Sequence, residues 1–541
     1  MTPSSSDGWD SDVAVTSSGA RAARPDGGRP RAGRLSSVYG LVASVALGSL
    51  LLAVVGAVTG PHWDPGPLED GIEVATTDTA IGGAPEPGTY EVRTVDVSVR
   101  LDGTSVGARL SLPVGLAEAG PAVLFVHGAG TGRSTQAFRR QAQALAEAGV
   151  VAMVPDKRLD TYSTRHRDYV AMAADYHRSL DVLRDRPEVD PARVVVYAES
   201  EGGWIAPVMA ADDPGIAGLV LVSSPVVPPR QQAAFAVDAY LRNTGVPHAV
   251  FRAIPRAVGM SMPGGGFEYA DFDVRPWQQR LTQPVLVVYG TADASMPIVQ
   301  GALQVRADAA QAGNRDVTVR YYADADHGIR VGGSPTPEFL RDLSGWVLGL
   351  PATGDGAPRV AGAEPSQAYV AGPVPQPRWL RDGTALLVLV IGAPALMVLC
   401  ALAVAATRVV QRTTSARAGG GAVRTPRRFA PGVAVRLAAL GGVTVATVGA
   451  LVWYLLSVAR LALDYQRDAW VVQGGWLGVR VLGVGAVLVA VLLARRVHDA
   501  RQEGVPVAPG VVRRVAAAGV LGGSAVLLVV LAYWGVYQLN I

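Results

Sequence analysis

Apolar residues follow two unlike patterns along this chain. Five long blocks, at residues 35–59, 384–406, 437–459, 475–494 and 515–537, are almost free of charge. Crossing a bilayer core of about 30 Å takes roughly 20 consecutive apolar residues, and each block reaches that length. Four are wholly uncharged, while Arg480 interrupts the 475–494 block about one turn from its start. One such block alone could be a buried core helix; five together predict transmembrane helices. Between the first and second blocks the pattern changes. Residues 90–100 and 106–112 alternate with period two and predict an antiparallel hairpin at a sheet edge. Continuous apolar runs at 122–126, 150–154, 194–197, 218–222 and 285–289 read as strands buried on both faces. Helical segments at 136–148, 169–184, 202–211 and 298–312 supply the crossovers of a doubly wound, mostly parallel α/β sheet. Ligands of such sheets bind beyond the carboxyl ends of the strands.

This divides the chain into a Ser-, Gly-, Pro- and Arg-rich tail (1–34), expected to be disordered and cytoplasmic, and an anchor (35–59). A linker (60–88) leads to the α/β domain (89–350), and a second linker (351–383) leads to a four-helix membrane region (384–541). An insertion at 228–283 breaks the strand–helix alternation, with a helix over 231–242 and a flexible stretch at 260–266.

Composition adds exclusions. Only 17% of residues are charged and 49% are hydrophobic, against about 25% charged in ordinary soluble domains. General disorder and a purely soluble enzyme are both disfavoured. A net charge of +3 gives no reason to expect nucleic acid as a partner. The single cysteine, Cys400, rules out an intramolecular disulfide and a Cys-based zinc site. The placement of the arginines matters more than their sum. They crowd before the first block, between the second and third, and between the fourth and fifth, whereas Arg460 and Arg467 on the other side are offset by Asp464 and Asp468. The positive-inside rule then puts the N-terminus in the cytoplasm and the α/β domain outside it. Trp63, Trp379, Trp453, Trp470 and Trp534 lie near the predicted outer ends, as interfacial aromatics do. The first block exceeds the 7–15 apolar residues of a signal-peptide core and is read as a retained anchor. Arg480 is expected to snorkel to the interface.

Candidate chemistry sits at the strand ends. The strand at 194–197 runs into Ala198-Glu199-Ser200-Glu201-Gly202-Gly203 and then a helix. A serine on such a sharp turn needs small neighbours two residues before and after, and Ala198 and Gly202 fill those places. Serine needs a base to become a nucleophile. His327, beyond the strand at 317–322, is the histidine placed to serve. An acid must orient that imidazole, and Asp293, beyond the strand at 285–289, is preferred over Asp324 and Asp326, which lie too close to His327 in sequence. Two amides must hold the oxyanion. The Glu201 amide is one, and the loop His127-Gly128-Ala129-Gly130 offers Ala129, with Gly130 as the alternative. His127 is expected to shape this loop. Glu199 and Glu201 are expected to be solvated or structural, with binding of a substrate amine as the alternative.

The succession Val126-His127-Gly128-Ala129-Gly130, Ala198-Glu199-Ser200-Glu201-Gly202-Gly203, Gly290-Thr291-Ala292-Asp293 and Asp326-His327-Gly328 resembles the α/β-hydrolase superfamily. The Ser-Glu-Gly-Gly form, with Pro155-Asp156-Lys157-Arg158 upstream, is most similar to its serine aminopeptidase and acylaminoacyl-peptidase-like esterase branches. The likeness spans roughly residues 88–350; Ala198 stands where glycine is usual, and Leu159-Asp160 where relatives often have glycine. It implies that the insertion is a cap over the site, whose Phe235, Tyr240, Phe251, Phe267, Tyr269 and Trp277 line the substrate pocket or form the cap's own core. The expectation is a membrane-anchored, extracytoplasmic serine hydrolase that cleaves a carboxylic ester or amide without cofactor or metal. Its substrate would be a small molecule, lipid or peptide. The rival readings are an inactive ligand-binding ectodomain and an acyltransferase to a lipid or wall acceptor.

Overall fold

The computed structural model describes residues 31–261, 265–352, 358–417, 428–463 and 466–538. Most of the expected N-terminal tail, part of the 260–266 stretch and Asp464 lie outside the described residues.

Helix α1 (Arg31–Thr59) leads to the hairpin β1 (Val92–Arg100) and β2 (Ser105–Pro113). The alternation of sheet and helix then runs β3 (Gly120–Val126), α2 (Arg139–Glu147), β4 (Val151–Pro155), α3 (Tyr169–Arg184), β5 (Val189–Glu199), α4 (Gly202–Asp212) and β6 (Gly218–Val222). The cap contributes α5 (Pro229–Thr244), α6 (Ala253–Val258) and α7 (Arg275–Gln278). The domain closes with β7 (Val285–Gly290), α8 (Ile298–Gln311), β8 (Val317–Tyr322), a small hairpin β9 (Arg330–Val331) and β10 (Ser334–Pro335), α9 (Pro337–Gly349) and β11 (Val360–Gly362). One nine-stranded sheet has the order β1-β2-β4-β3-β5-β6-β7-β8-β11. It is antiparallel only at the β1/β2 and β2/β4 edges.

Side-chain alternation along the buried strands builds two core layers. Val194, Val196 and Ala198 of β5 pack toward α3, α4 and α8, while Val195 and Tyr197 pack toward α2 and α9. This is the expected doubly wound arrangement.

The two segments expected to be linkers are part of the domain. Arg320 of β8 is fully buried and explains why. Its Nε donates to the Thr79 carbonyl at 2.8 Å and its Nη1 to the Pro358 carbonyl at 3.0 Å, stapling both segments to the sheet. Leu68 and Ala75 donate to the Ala368 and Val360 carbonyls, and β11 itself arises from the second segment. Proline and glycine content marked the absence of regular structure there, not the absence of packing.

Four further helices follow: α10 (Gly383–Arg417), α11 (Val433–Leu463), α12 (Gly475–Gln502) and α13 (Val511–Tyr533). With α1, five helices among the described residues are long and apolar enough to cross a membrane. The α/β domain meets one end of this bundle. Trp379 Nε1 donates to the Thr59 carbonyl at 2.7 Å, Arg256 Nη2 to the Gly56 carbonyl at 3.3 Å and Tyr240 to the Gln466 carbonyl at 2.5 Å. Arg480 turns inward to the Gln538 carbonyl at 2.7 Å. It therefore caps the chain's last described turn instead of reaching the surface alone.

Candidate active site

Ser200 stands where β5 ends and α4 begins, with φ of 56°. A non-glycine residue in this left-handed region stores about 1–3 kcal/mol of strain, and such strain gathers at functional sites. Close packing around the turn explains its small residues. A Cβ on Gly202 would lie 2.9 Å from the Val126 carbonyl and 3.2 Å from Ala198 Cβ. Alanine is tolerated at 198 because Gly202 leaves it room. Gly128 lies close to Ser200 in the same way, since a Cβ there would sit 3.1 Å from Ser200 Cβ.

The imidazole and the acid are brought together. His327 Nδ1 is 2.8 Å from Asp293 Oδ2. Asp293 is buried, and its other oxygen accepts from the Ser295 amide at 3.0 Å and from Ser295 Oγ at 2.6 Å. Burial would raise the Asp293 pKa, but His327 and Ser295 together hold it below the ordinary carboxylate value. Burial would likewise lower that of His327, yet the Asp293 carboxylate outweighs it and the pKa is raised. The carboxyls of Glu199, adjacent to Ser200, and of Asp326 add to this rise. Among the described residues no hydrogen bond joins Ser200 Oγ to His327; that contact is often long before substrate binds. Asp324 and Asp326 do other work. Asp326 Oδ1 accepts from the Gly328 and Arg330 amides and shapes the loop, and Asp324 is exposed with its amide donating to Thr291 Oγ1.

On the opposite side of the serine, Ala129 and Gly130 are exposed and Gly128 is buried. Among the described residues neither the Ala129 nor the Glu201 amide donates to another backbone group. His127 shapes the loop as expected. Its Nε2 lies 2.6 Å from the Pro155 carbonyl and its Nδ1 3.2 Å from Thr131 Oγ1, and burial pushes its pKa down to about 4.

Lys157, the chain's only lysine, is a residue that sequence reasoning did not place. Its ammonium, 1% exposed, donates to the Gly128 carbonyl at 2.6 Å and to Glu201 Oε2 at 3.0 Å. Arg167 Nη1 at 2.6 Å and the hydroxyls of Tyr162 at 2.9 Å and Tyr169 at 3.4 Å also donate to the Glu201 carboxylate. Glu201 is thus committed to internal partners and is not available to bind a substrate amine. One ammonium ties the loop at Gly128 to Glu201, the residue after Ser200. The signal available in the sequence was a solitary lysine in a chain that otherwise uses arginine. Lys157→Met is expected to cost about 3 kcal/mol, because a buried carboxylate loses a partner. Lys157→Arg should not restore stability, since a planar fork cannot replace a point donor in this space. Thermal unfolding of both variants checks this.

The cap aromatics divide into two groups. Tyr269 packs edge-on to Tyr169, and Trp277 stacks with Phe272, at the cap's junction with α3. Phe235 and Tyr240 instead face a cavity toward the membrane helices.

A serine on a strand-to-helix turn, a strand-end imidazole–carboxylate pair and a glycine loop beside the serine, on a doubly wound sheet, are the arrangement of an α/β-hydrolase fold. Residues 117–255 match the model of the family described as serine aminopeptidase, S33. Among solved structures the chain is similar to the dienelactone hydrolase from Anabaena variabilis, at 19% identity and a TM-score of 0.32 over 47% of this chain and 94% of that one. It is also similar to the esterase domain of a Rhodothermus marinus protein, at 17% identity and a TM-score of 0.32 over 48% and 98%. The acylaminoacyl peptidase of Pyrococcus horikoshii matches at 15% identity and a TM-score of 0.35 over 47% and 40%. No curated relative matches the chain.

Proposed function

We propose that the protein is a membrane-anchored serine hydrolase that cleaves a carboxylic ester or amide through an acyl-enzyme. The observation that carries this reading is the His327–Asp293 pair at 2.8 Å, its carboxylate buried, together with a strand-to-helix turn that holds Ser200 at φ 56°. Ser200 Oγ attacks the carbonyl carbon while His327 takes its proton. The tetrahedral oxyanion is held by the Glu201 and Ala129 amides. Collapse expels the alcohol or amine, which receives the proton from His327. Water then repeats the sequence on the acyl-enzyme, releasing the acid and regenerating Ser200. Lys157 acts as a positioning residue for both oxyanion donors.

The domain lies outside the cytoplasm in this reading. It docks against the ends of α1, α11 and α13 at Thr59, Val458 and Tyr533, whereas Arg408, Arg436, Arg495 and Arg514 sit toward the opposite ends. Such asymmetry favours the arginine-rich side as cytoplasmic.

The test is hydrolysis of p-nitrophenyl esters and aminoacyl amides by the detergent-solubilised protein across pH. Because His327 must be neutral to accept the proton, kcat/KM should rise with pH through its pKa. That midpoint should lie above the ordinary histidine value of about 6.5. No turnover of any member of the panel would overturn the reading.

A further inference from the structure

The cap does not close its core on itself. Ala234, Leu241, Val250 and Ile254 share one apolar cluster with Val458 of α11 and Leu531 of α13. Between cap and bundle this contact leaves a cavity of about 1100 Å³, slightly larger than the roughly 300–1,000 Å³ usual for small-ligand sites. Phe235, Leu241 and Ile254 form its cap wall, and Val458, Ala459 and Ala462 form the facing wall. Those last three lie in the final turns of a helix apolar enough to cross a membrane, Val433–Ala462. Part of the cavity lining is the loop carrying Asp293, where Ser295 Oγ lies 3.4 Å from His327 Nδ1, the ring nitrogen that Asp293 holds. At the rim, Arg467 is exposed.

We propose that this cavity takes the acyl chain of an ester lipid drawn from the leaflet on the hydrolase side, so that the membrane helices form part of the substrate site. The proposal rests on the hydrolase reading above and narrows its substrate class. Three features select an acyl chain. The facing wall belongs to the end of a candidate membrane span, where lipid acyl chains are within reach. Both walls present mainly carbon, which leaves the backbone of a peptide few hydrogen-bond partners. Arg467 at the rim suits an anionic head group, since guanidinium pairs readily with phosphate. The membrane helices are then a functional wall of the enzyme as well as its anchor.

The test compares a palmitoyl ester and a butyryl ester, both presented in phosphatidylcholine vesicles carrying the full-length protein. Ala459→Leu and Ala462→Phe narrow the cavity from the membrane side. Each should lower the ratio of palmitoyl to butyryl hydrolysis about ten-fold or more. Ala459→Val, a smaller change, should lower it less and replaces either variant if that variant fails size exclusion as a folded protein. A ratio unchanged in all folded variants overturns the acyl-chain site while leaving the hydrolase reading intact. Absence of Ser200-dependent hydrolysis of either ester by the unaltered protein overturns the hydrolase reading itself.

Discussion

Ser200→Ala is expected to lower kcat for ester hydrolysis about 10⁴- to 10⁶-fold, the scale on which serine hydrolases lose turnover when the nucleophile is removed. The fold should survive the change. Ser200 is partly exposed at its turn, and the contacts that shape that turn belong to Ala198, Gly202 and Gly128. The backbone offers an internal control. Because residue 200 sits at φ 56°, Ser200→Gly should be equally inactive yet more stable than Ser200→Ala by about 1 kcal/mol. Steady-state kinetics and thermal unfolding on the same preparations separate lost chemistry from lost structure. Residual turnover within ten-fold of the unaltered protein would remove Ser200 from the mechanism.

Asp293→Asn is the second large expected effect. The substitution keeps the shape of a fully buried group that accepts from Ser295 and His327. It removes the negative charge and permits the wrong imidazole tautomer, which in triads of this kind costs about 10⁴-fold in kcat. The pH profile gives the finer test. Asp293 is the strongest of the influences raising the His327 pKa, so removing its charge must lower that pKa. The acid limb of kcat/KM should therefore move to lower pH in Asp293→Asn while the plateau falls. Asp326→Asn, whose carboxyl accepts from the loop amides and is a weaker influence on the imidazole, should leave the plateau close to the unaltered value and lower the midpoint less than Asp293→Asn does. An acid limb that stays in place in Asp293→Asn would mean that another carboxylate supports the base.

Most of the scaffold was legible because each face of the sheet is buried. Strands such as Val194–Tyr197 and Val285–Tyr289 are apolar throughout, and Tyr169–Arg184 and Val317–Tyr322 match their expected bounds. The strand-end rule then pointed to Ser200, Asp293 and His327, and the imidazole and the acid do meet. Three features stayed hidden for a common reason: they depend on contacts between residues far apart in sequence. The supposed linkers are ordered by Arg320, whose partners Thr79 and Pro358 could not be inferred from composition. Glu201 offered no sign that Lys157, Arg167 and Tyr162 would converge on its carboxylate. The cap's aromatic content suggested a pocket but not that α11 would form the opposite wall.

The most direct test of the central claim is to apply a membrane-impermeant fluorophosphonate to intact cells making the full-length protein, and then to map the adduct by peptide mass spectrometry. The account predicts a single adduct on Ser200 Oγ, formed without permeabilisation and absent from Ser200→Ala. An adduct on another residue, labelling that persists in Ser200→Ala, or labelling that appears only after permeabilisation would contradict it.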